Sequence, residues 1–262
     1  MNPTLQSIQQ KYNLWRICAW AGPVFLVGYV ITWAILGYNI PPDEPSQSLA
    51  DLYTHYANNS VRIRLAFVGS VFFIPFYFVF GSVLSRIMQK IEGADGPLSI
   101  VEQMGAATTT VVGMVAGVCW LTAGYRVEER SPEIVRTLHD FGWLFFDTTY
   151  MVTGLQMLAM AIVFLSDRRA QPLIPRALSW YSVAVVVLFL PLSLLPFFYS
   201  GPFAWSGAFC YFVSLGSWFV WVTLLCVCTF KAITRLEGEE LASLGVASGS
   251  PATAAMGKPS FA

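Results

Sequence analysis

Six stretches of this chain are apolar for long enough to cross a lipid bilayer, and no other feature restricts its fold as tightly. A helix needs about 20 apolar residues to cross a hydrocarbon core of roughly 30 Å. Backbone N–H and C=O groups find no water there, so such a run must close its hydrogen bonds on itself as a helix. The runs are Trp15–Gly37, Arg64–Ser85, Leu98–Tyr125, Phe141–Leu165, Leu178–Tyr199 and Gly207–Phe230. Ser200 to Ser206 (Ser-Gly-Pro-Phe-Ala-Trp-Ser) reads as a tight turn with an aromatic anchor; without it one helix would run for over fifty residues. The expected architecture is an all-α, polytopic integral membrane bundle of six transmembrane helices. Composition agrees: 56% of residues are hydrophobic and 11% charged, against about 45–50% and roughly 25% in a soluble domain.

Orientation follows from the basic residues. With the N-terminus inside, Lys11, Arg16, Arg86, Lys90, Arg168, Arg169, Arg176, Lys231, Arg235 and Lys258 fall on the inner side. Arg62, Arg64, Arg126, Arg130 and Arg136 fall outside. That asymmetry predicts N-in and C-in, with both termini cytoplasmic, in a plasma (inner) membrane. The first run has no small-residue cleavage site after a short apolar core, so it reads as an uncleaved anchor. Acidic and basic residues balance at 15 each, which leaves no basic footprint for nucleic acid.

The organisation read from the sequence is a six-span domain over residues 1–236 and a flexible cytoplasmic tail over 237–262, rich in Ala, Ser, Gly and Pro. The first outer loop, 38–63, opens on Pro41-Pro42-Asp43-Glu44-Pro45. Leu49, Leu52, Tyr53 and Tyr56 then recur on one helical face, predicting a short amphipathic helix lying flat at the outer interface. Ser48 and Asp51 resemble a capping box, and Asp51 and His55 have the spacing of an ion pair. Asn58-Asn59-Ser60 matches a glycosylation sequon, a weak three-residue pattern. Arg16-Ile-Cys-Ala-Trp20 and Arg176-Ala-Leu-Ser-Trp180 open the first and fifth runs alike. The second and sixth runs share Gly-Ser pairs and close on Ile91-Glu92-Gly93 and Leu236-Glu237-Gly238, a faint sign of duplicated hairpins.

Inside the spans, Gly113-Met-Val-Ala-Gly117, with Gly124 a further seven residues on, gives the third span a face another helix can approach closely. Pro23, Pro75, Pro191 and Pro196 predict breaks in the first, second and fifth spans. The five cysteines all lie in spans, where thiols serve as small apolar groups, and no disulfide framework, metal site or cofactor site is implied. Asp147 is the most informative residue. A carboxylate at that depth costs at least ~2.5 kcal/mol on insertion scales, so it should face the bundle interior with a partner or a proton. Asp140 and Gly154 lie seven residues either side on the same helical face. Arg64 and Arg126 are the candidate partners. Glu133, Arg136 and Asp140 have the spacings for pairing among themselves. The site expected from these residues is an outer-facing vestibule of Arg64, Arg126, His139, Asp140, Trp143, Asp147 and Tyr150; the alternative is a structural ion pair at Asp147. Glu102 and Gln103 lie near the inner interface and carry less weight, and Gln156 points away from Asp147.

The residue inventory excludes several chemistries. Two histidines cannot build the histidine boxes of membrane di-iron enzymes or a bis-histidine haem site. A rhomboid-like protease would need a late-span histidine, a retinal protein a lysine deep in its last helix, and the sixth run has neither. There is no His-Glu-x-x-His, Walker A or dinucleotide glycine pattern. Three functions remain: a binding protein or carrier for a small, largely apolar molecule; an intramembrane enzyme using Asp147, Asp140 and His139 for acid–base chemistry; or an accessory subunit. The expected partners are the lipid bilayer, the small ligand, and a second copy or another membrane protein.

Overall fold

The computed structural model describes residues 3–245. Among them there is no strand, and six helical spans are long and apolar enough to cross a membrane: Pro3–Leu36, Leu49–Glu92, Pro97–Gly124, Pro132–Leu165, Arg176–Phe197 and Ala208–Ser243. Each apolar run overlaps one of them and overruns its end by two residues at most. Several helices extend well past their runs, because polar turns continue a helix once it leaves hydrocarbon.

Each span packs against its sequence neighbours, and the sixth returns to the first, closing a ring. Neighbours in sequence are neighbours in space because the connections are short. The third span packs on both the second and the fourth. Its glycine face is used within the chain: a Cβ at Gly113, Gly117 or Gly124 would lie 2.9, 3.0 or 3.1 Å from Ile74, Val71 or Ile63 of the second span. Gly-to-Ala change there would push the two backbones apart.

Only the third span is one unbroken α-helix. The first is α-helical to Tyr29 and then a π-helix over Val30–Leu36. Pro23 does not interrupt it. Instead, the Thr32 hydroxyl donates to Gly28 O at 2.8 Å, offering that carbonyl a side-chain donor. The second span breaks at Ile74, where Pro75 lacks the N–H its helix would use. The fourth breaks at Thr149 and Tyr150 between Pro132–Thr148 and Met151–Leu165. Thr148 and Thr149 there donate to the carbonyls of Leu144 and Phe145 at 2.6 and 2.8 Å, the back-bonding that bends helices. The fifth tightens into a 3-10 helix over Leu190–Phe197, which holds Pro191 and Pro196. The sixth begins as a π-helix, Ala208–Leu215, before its α segment Gly216–Ser243.

At one end of the ring, ion pairs tie the ends of the chain together. Lys11 and Arg16 pair with Glu240 and Glu237, while Glu239 meets both Arg169 and Arg235. The helix that carries Glu237 continues to Ser243. Residues 246–262 of the expected tail lie outside the described residues.

The opposite end is closed by loops. The segment expected to form a separate interfacial helix is the start of the second span, Leu49–Phe73, bent at Asn59. Its apolar face is buried at Leu52 and Tyr56 because the bundle, not lipid, covers it. Ser48 Oγ accepts from Asp51 N at 3.1 Å, capping this helix. His55 meets Asp43 (3.8 Å) rather than Asp51, since the proline-rich loop folds back over the helix. The turn tryptophan, Trp205, is buried and donates to Asp43 O at 2.7 Å.

Candidate functional site

The helix breaks converge on one cavity. Its lining draws on all six spans: Tyr29, Ile74, Thr109 and Val112, Phe146, Asp147, Tyr150 and Thr153, Phe189 and Leu192, and Cys210, Leu215 and Trp218. Tyr29 immediately precedes the π segment of the first span, Ile74 is the break in the second, and in the fourth Asp147 lies two residues before the break and Tyr150 within it. Phe189 and Leu192 bracket the change of helix type in the fifth, and Cys210 and Leu215 lie in the π segment of the sixth. Thr109 and Val112 straddle the midpoint of Pro97–Gly124, so the cavity lies at mid-depth. Breaks at that level leave carbonyls and N–H groups outside the regular ladder, an arrangement tolerated in membranes where backbone lines a cavity or is buried in protein.

Asp147 is 8% exposed and lines this cavity. Among the described residues its carboxylate has no salt bridge and no hydrogen-bond donor. Tyr29 Oη, also in the lining, is buried without a hydrogen-bond partner. Tyr150 is held by a 2.6 Å hydrogen bond between its hydroxyl and Ser193 Oγ. On the floor, the hydroxyls of Thr109 and Thr153 bond each other at 2.8 Å.

Of the seven residues singled out from the sequence, the structure brings only Asp147 and Tyr150 to this cavity. His139 and Trp143 lie nearer the loop-covered end in an aromatic layer. The His139 ring bonds Tyr56 Oη through Nδ1 at 2.9 Å, and Trp143 stacks on Trp205 at 6.1 Å between centroids. Trp120 Nε1 donates to His139 O at 3.3 Å. Asp140 is half-buried beside this layer, and Arg136 donates to Gln47 O instead of closing on Glu133 or Asp140. The expected ion pair at Asp147 is not formed. Arg64 Nε donates to Ser60 O at 3.2 Å, and exposed Arg126 lies 3.9 Å from Glu129. Gly154 is not among the residues that line the cavity.

Sequence reasoning undervalued Glu102. It is 0% exposed, and its Oε1 accepts from Gln156 Nε2 at 3.1 Å while Oε2 has no partner. Tyr77 Oη in turn donates to Gln156 Oε1 at 2.9 Å. Gln156 follows Thr153 by three residues, so these groups continue one turn beyond the cavity floor. Small residues marked this face in advance: Gly105 and Ala106 stand three and four residues from Glu102, and a Cβ at Gly105 would lie 2.5 Å from Gln156.

Two further acids outside the spans show what pairing does to a carboxyl. Burial pushes the Asp167 carboxyl up, but N–H donors of Leu173 (2.8 Å) and Arg169 (3.1 Å) and the Arg169 guanidinium (3.0 Å) outweigh it, holding it below the usual range. Asp43, with only His55 in attendance, is pushed up by burial.

The chain matches no family model, no curated protein and no solved structure. The site therefore has to be read from its own chemistry: a largely apolar chamber with one unpaired carboxylate and one unpaired phenol.

Proposed function

We propose that this protein is a binding protein or carrier for a small, largely apolar molecule whose polar end is held by Asp147, in a plasma (inner) membrane with both termini cytoplasmic. The observation that carries the reading is the combination at one place of an unpaired carboxylate, a cavity and helix breaks in five of the six described spans. A carboxylate kept in hydrocarbon only to fix helix register should have its cation beside it. Here the nearest arginines foreseen for that role bond elsewhere. Discontinuous helices around a mid-depth site are also how transporters expose backbone groups to a substrate. Acid–base catalysis has less support, because His139 bonds Tyr56 rather than either aspartate.

The test is native mass spectrometry of the purified protein, released gently from detergent, beside Asp147→Asn. The expected result is a discrete small-molecule adduct on the wild type that the variant lacks. Identical spectra from two equally folded proteins would remove Asp147 from any ligand site. Orientation is checked separately by labelling from outside: a cysteine placed at Ser131 should react and one at Ala170 should not.

A further inference from the structure

The cavity at Asp147 measures about 60 Å³. A water molecule needs roughly 10–15 Å³ by this kind of measure, so the cavity takes a head group of a few atoms. Sites that enclose a whole organic ligand run to about 300–1,000 Å³. A ligand that is largely apolar must therefore have its apolar part somewhere else.

A groove of about 790 Å³ lies directly alongside, between the first and sixth spans. Leu215 lines both the groove and the cavity and is the wall between them. Val30 and Trp33 contribute from the π segment of the first span, and Phe219 and Val220 from the α segment of the sixth. Both flanking spans leave α geometry beside the groove: Val30–Leu36 is a π-helix, and Leu215 is the last residue of the π-helix Ala208–Leu215. Val27, Phe212 and Val220 are exposed there, so the groove opens sideways on the surface that faces lipid in a membrane-spanning ring. At Gly216 a Cβ would meet no atom within 4 Å. The helix keeps that position open toward the groove.

We propose that groove and cavity are two halves of one site for a single-chain amphiphile with an amine head, the chain lying in the groove and the head reaching Asp147 past Leu215. This rests on the carrier reading above and adds the ligand class and the route. The head is an amine because the lining has no cation of its own for the Asp147 carboxylate. An ammonium makes a charge-assisted hydrogen bond to a carboxylate in low dielectric and offers a second N–H to Tyr29 Oη, which has no protein partner. The ligand arrives laterally from the bilayer, since the loop-covered end is closed by the layer of Trp143, Trp205 and His139.

The experiment uses full-length protein in phosphatidylcholine vesicles and a dodecylamine probe carrying a mid-chain diazirine. Photolabelling should saturate and map to Val30–Leu36 and to Leu215–Val220. Dodecylamine should compete, while dodecanoate and dodecane should not. Gly216→Phe, which fills the groove, should cut labelling by about tenfold or more, and Asp147→Asn should do the same. Gly216→Ala, too small to block the groove, should label like wild type. Val27→Trp, at an exposed position of the same groove, gives an independent block if Gly216→Phe does not fold. Normal labelling in both blocked variants with loss in Asp147→Asn overturns the groove and leaves the carrier reading standing. Equal competition by dodecanoate overturns the amine head. Labelling indifferent to Asp147→Asn removes both the inference and the reading beneath it.

Discussion

Asp147 and Asp167 are both buried aspartates, one just before and one just after the helix Met151–Leu165, and they are treated in opposite ways. Asp167, 1% exposed, collects N–H donors from Leu173 and Arg169 and the Arg169 guanidinium. Asp147 has none. Around Asp167 the surrounding charges also pair, Lys11 with Glu240, Arg16 with Glu237, and Arg169 and Arg235 with Glu239. Around Asp147 the helices break and the wall is apolar. One end of the ring spends its polar groups on holding the chain together. At the cavity, the Asp147 carboxylate and the Tyr29 hydroxyl have no protein partner among the described residues.

That contrast gives the largest expected effect on stability. Asp167→Ala leaves the buried Leu173 N–H, the Arg169 N–H and Arg169 Nη1 without their acceptor, and should cost about 3 kcal/mol. Thermal or denaturant unfolding in a non-ionic detergent measures it. A loss below about 1 kcal/mol would mean that the end of the ring is not held by this carboxylate. The same group predicts a pH dependence. Its carboxyl is held below the ordinary Asp range when folded, so its contribution is present above the unfolded value and is lost as pH falls through the folded one. As pH falls below about 4, wild type should lose more stability than Asp167→Asn.

The sequence carried the spans because length and hydropathy are local properties. It carried the breaks at Pro75, Pro191 and Pro196 for the same reason: a missing N–H is visible in the letters. The breaks at Thr32 and Thr148–Thr149 were not legible, since a hydroxyl bends a helix only if its rotamer returns it to its own backbone. Asp147 stood out as a charge in an apolar run, but its lack of a partner depends on where two distant arginines point. Glu102 lies near the start of its run, where hydropathy alone places it at the interface. In the structure Glu102 is covered by Gln156, which donates to it at 3.1 Å, and by Gly81, where a Cβ would lie 3.2 Å from its Oε1. Burial of a helix end is decided by the neighbour it docks on, which one helix's periodicity cannot show.

Glu102 is the intermediate case and should respond as one. Glu102→Ala deprives Gln156 Nε2 of its acceptor in a fully buried place, for about 2 kcal/mol. Glu102→Gln keeps an acceptor oxygen for Gln156 and should change stability by less than about 1 kcal/mol. Equal losses from the two would show that the charge, not the hydrogen bond, matters there. Asp147→Asn should move the other way from Asp167→Ala. Removing an unpaired carboxylate should leave unfolding unchanged or raise stability by up to about 1 kcal/mol, even as ligand binding is lost, as expected where function holds a group in a costly place. A destabilisation comparable to that of Asp167→Ala would reveal a structural partner for Asp147 and erase the contrast.

The smallest effect lies at the rim of the well-paired end. Lys11 and Glu240 meet in an ion pair whose side chains remain about a third exposed, with Tyr12 Oη donating to the same carboxylate at 2.7 Å. Water and salt screen such a pair, and two long side chains lose freedom in forming it. Lys11→Gln should therefore cost less than about 1 kcal/mol, and the difference from wild type should shrink further in high salt. Asp167 and Lys11 belong to the same end of the molecule, yet one is enclosed with fixed donors and the other is wet. If Lys11→Gln proved as damaging as Asp167→Ala, the strength of that end would come from charge pairing as such. The smaller cost expected here assigns it instead to burial with every donor and acceptor matched, the condition Asp147 does not meet.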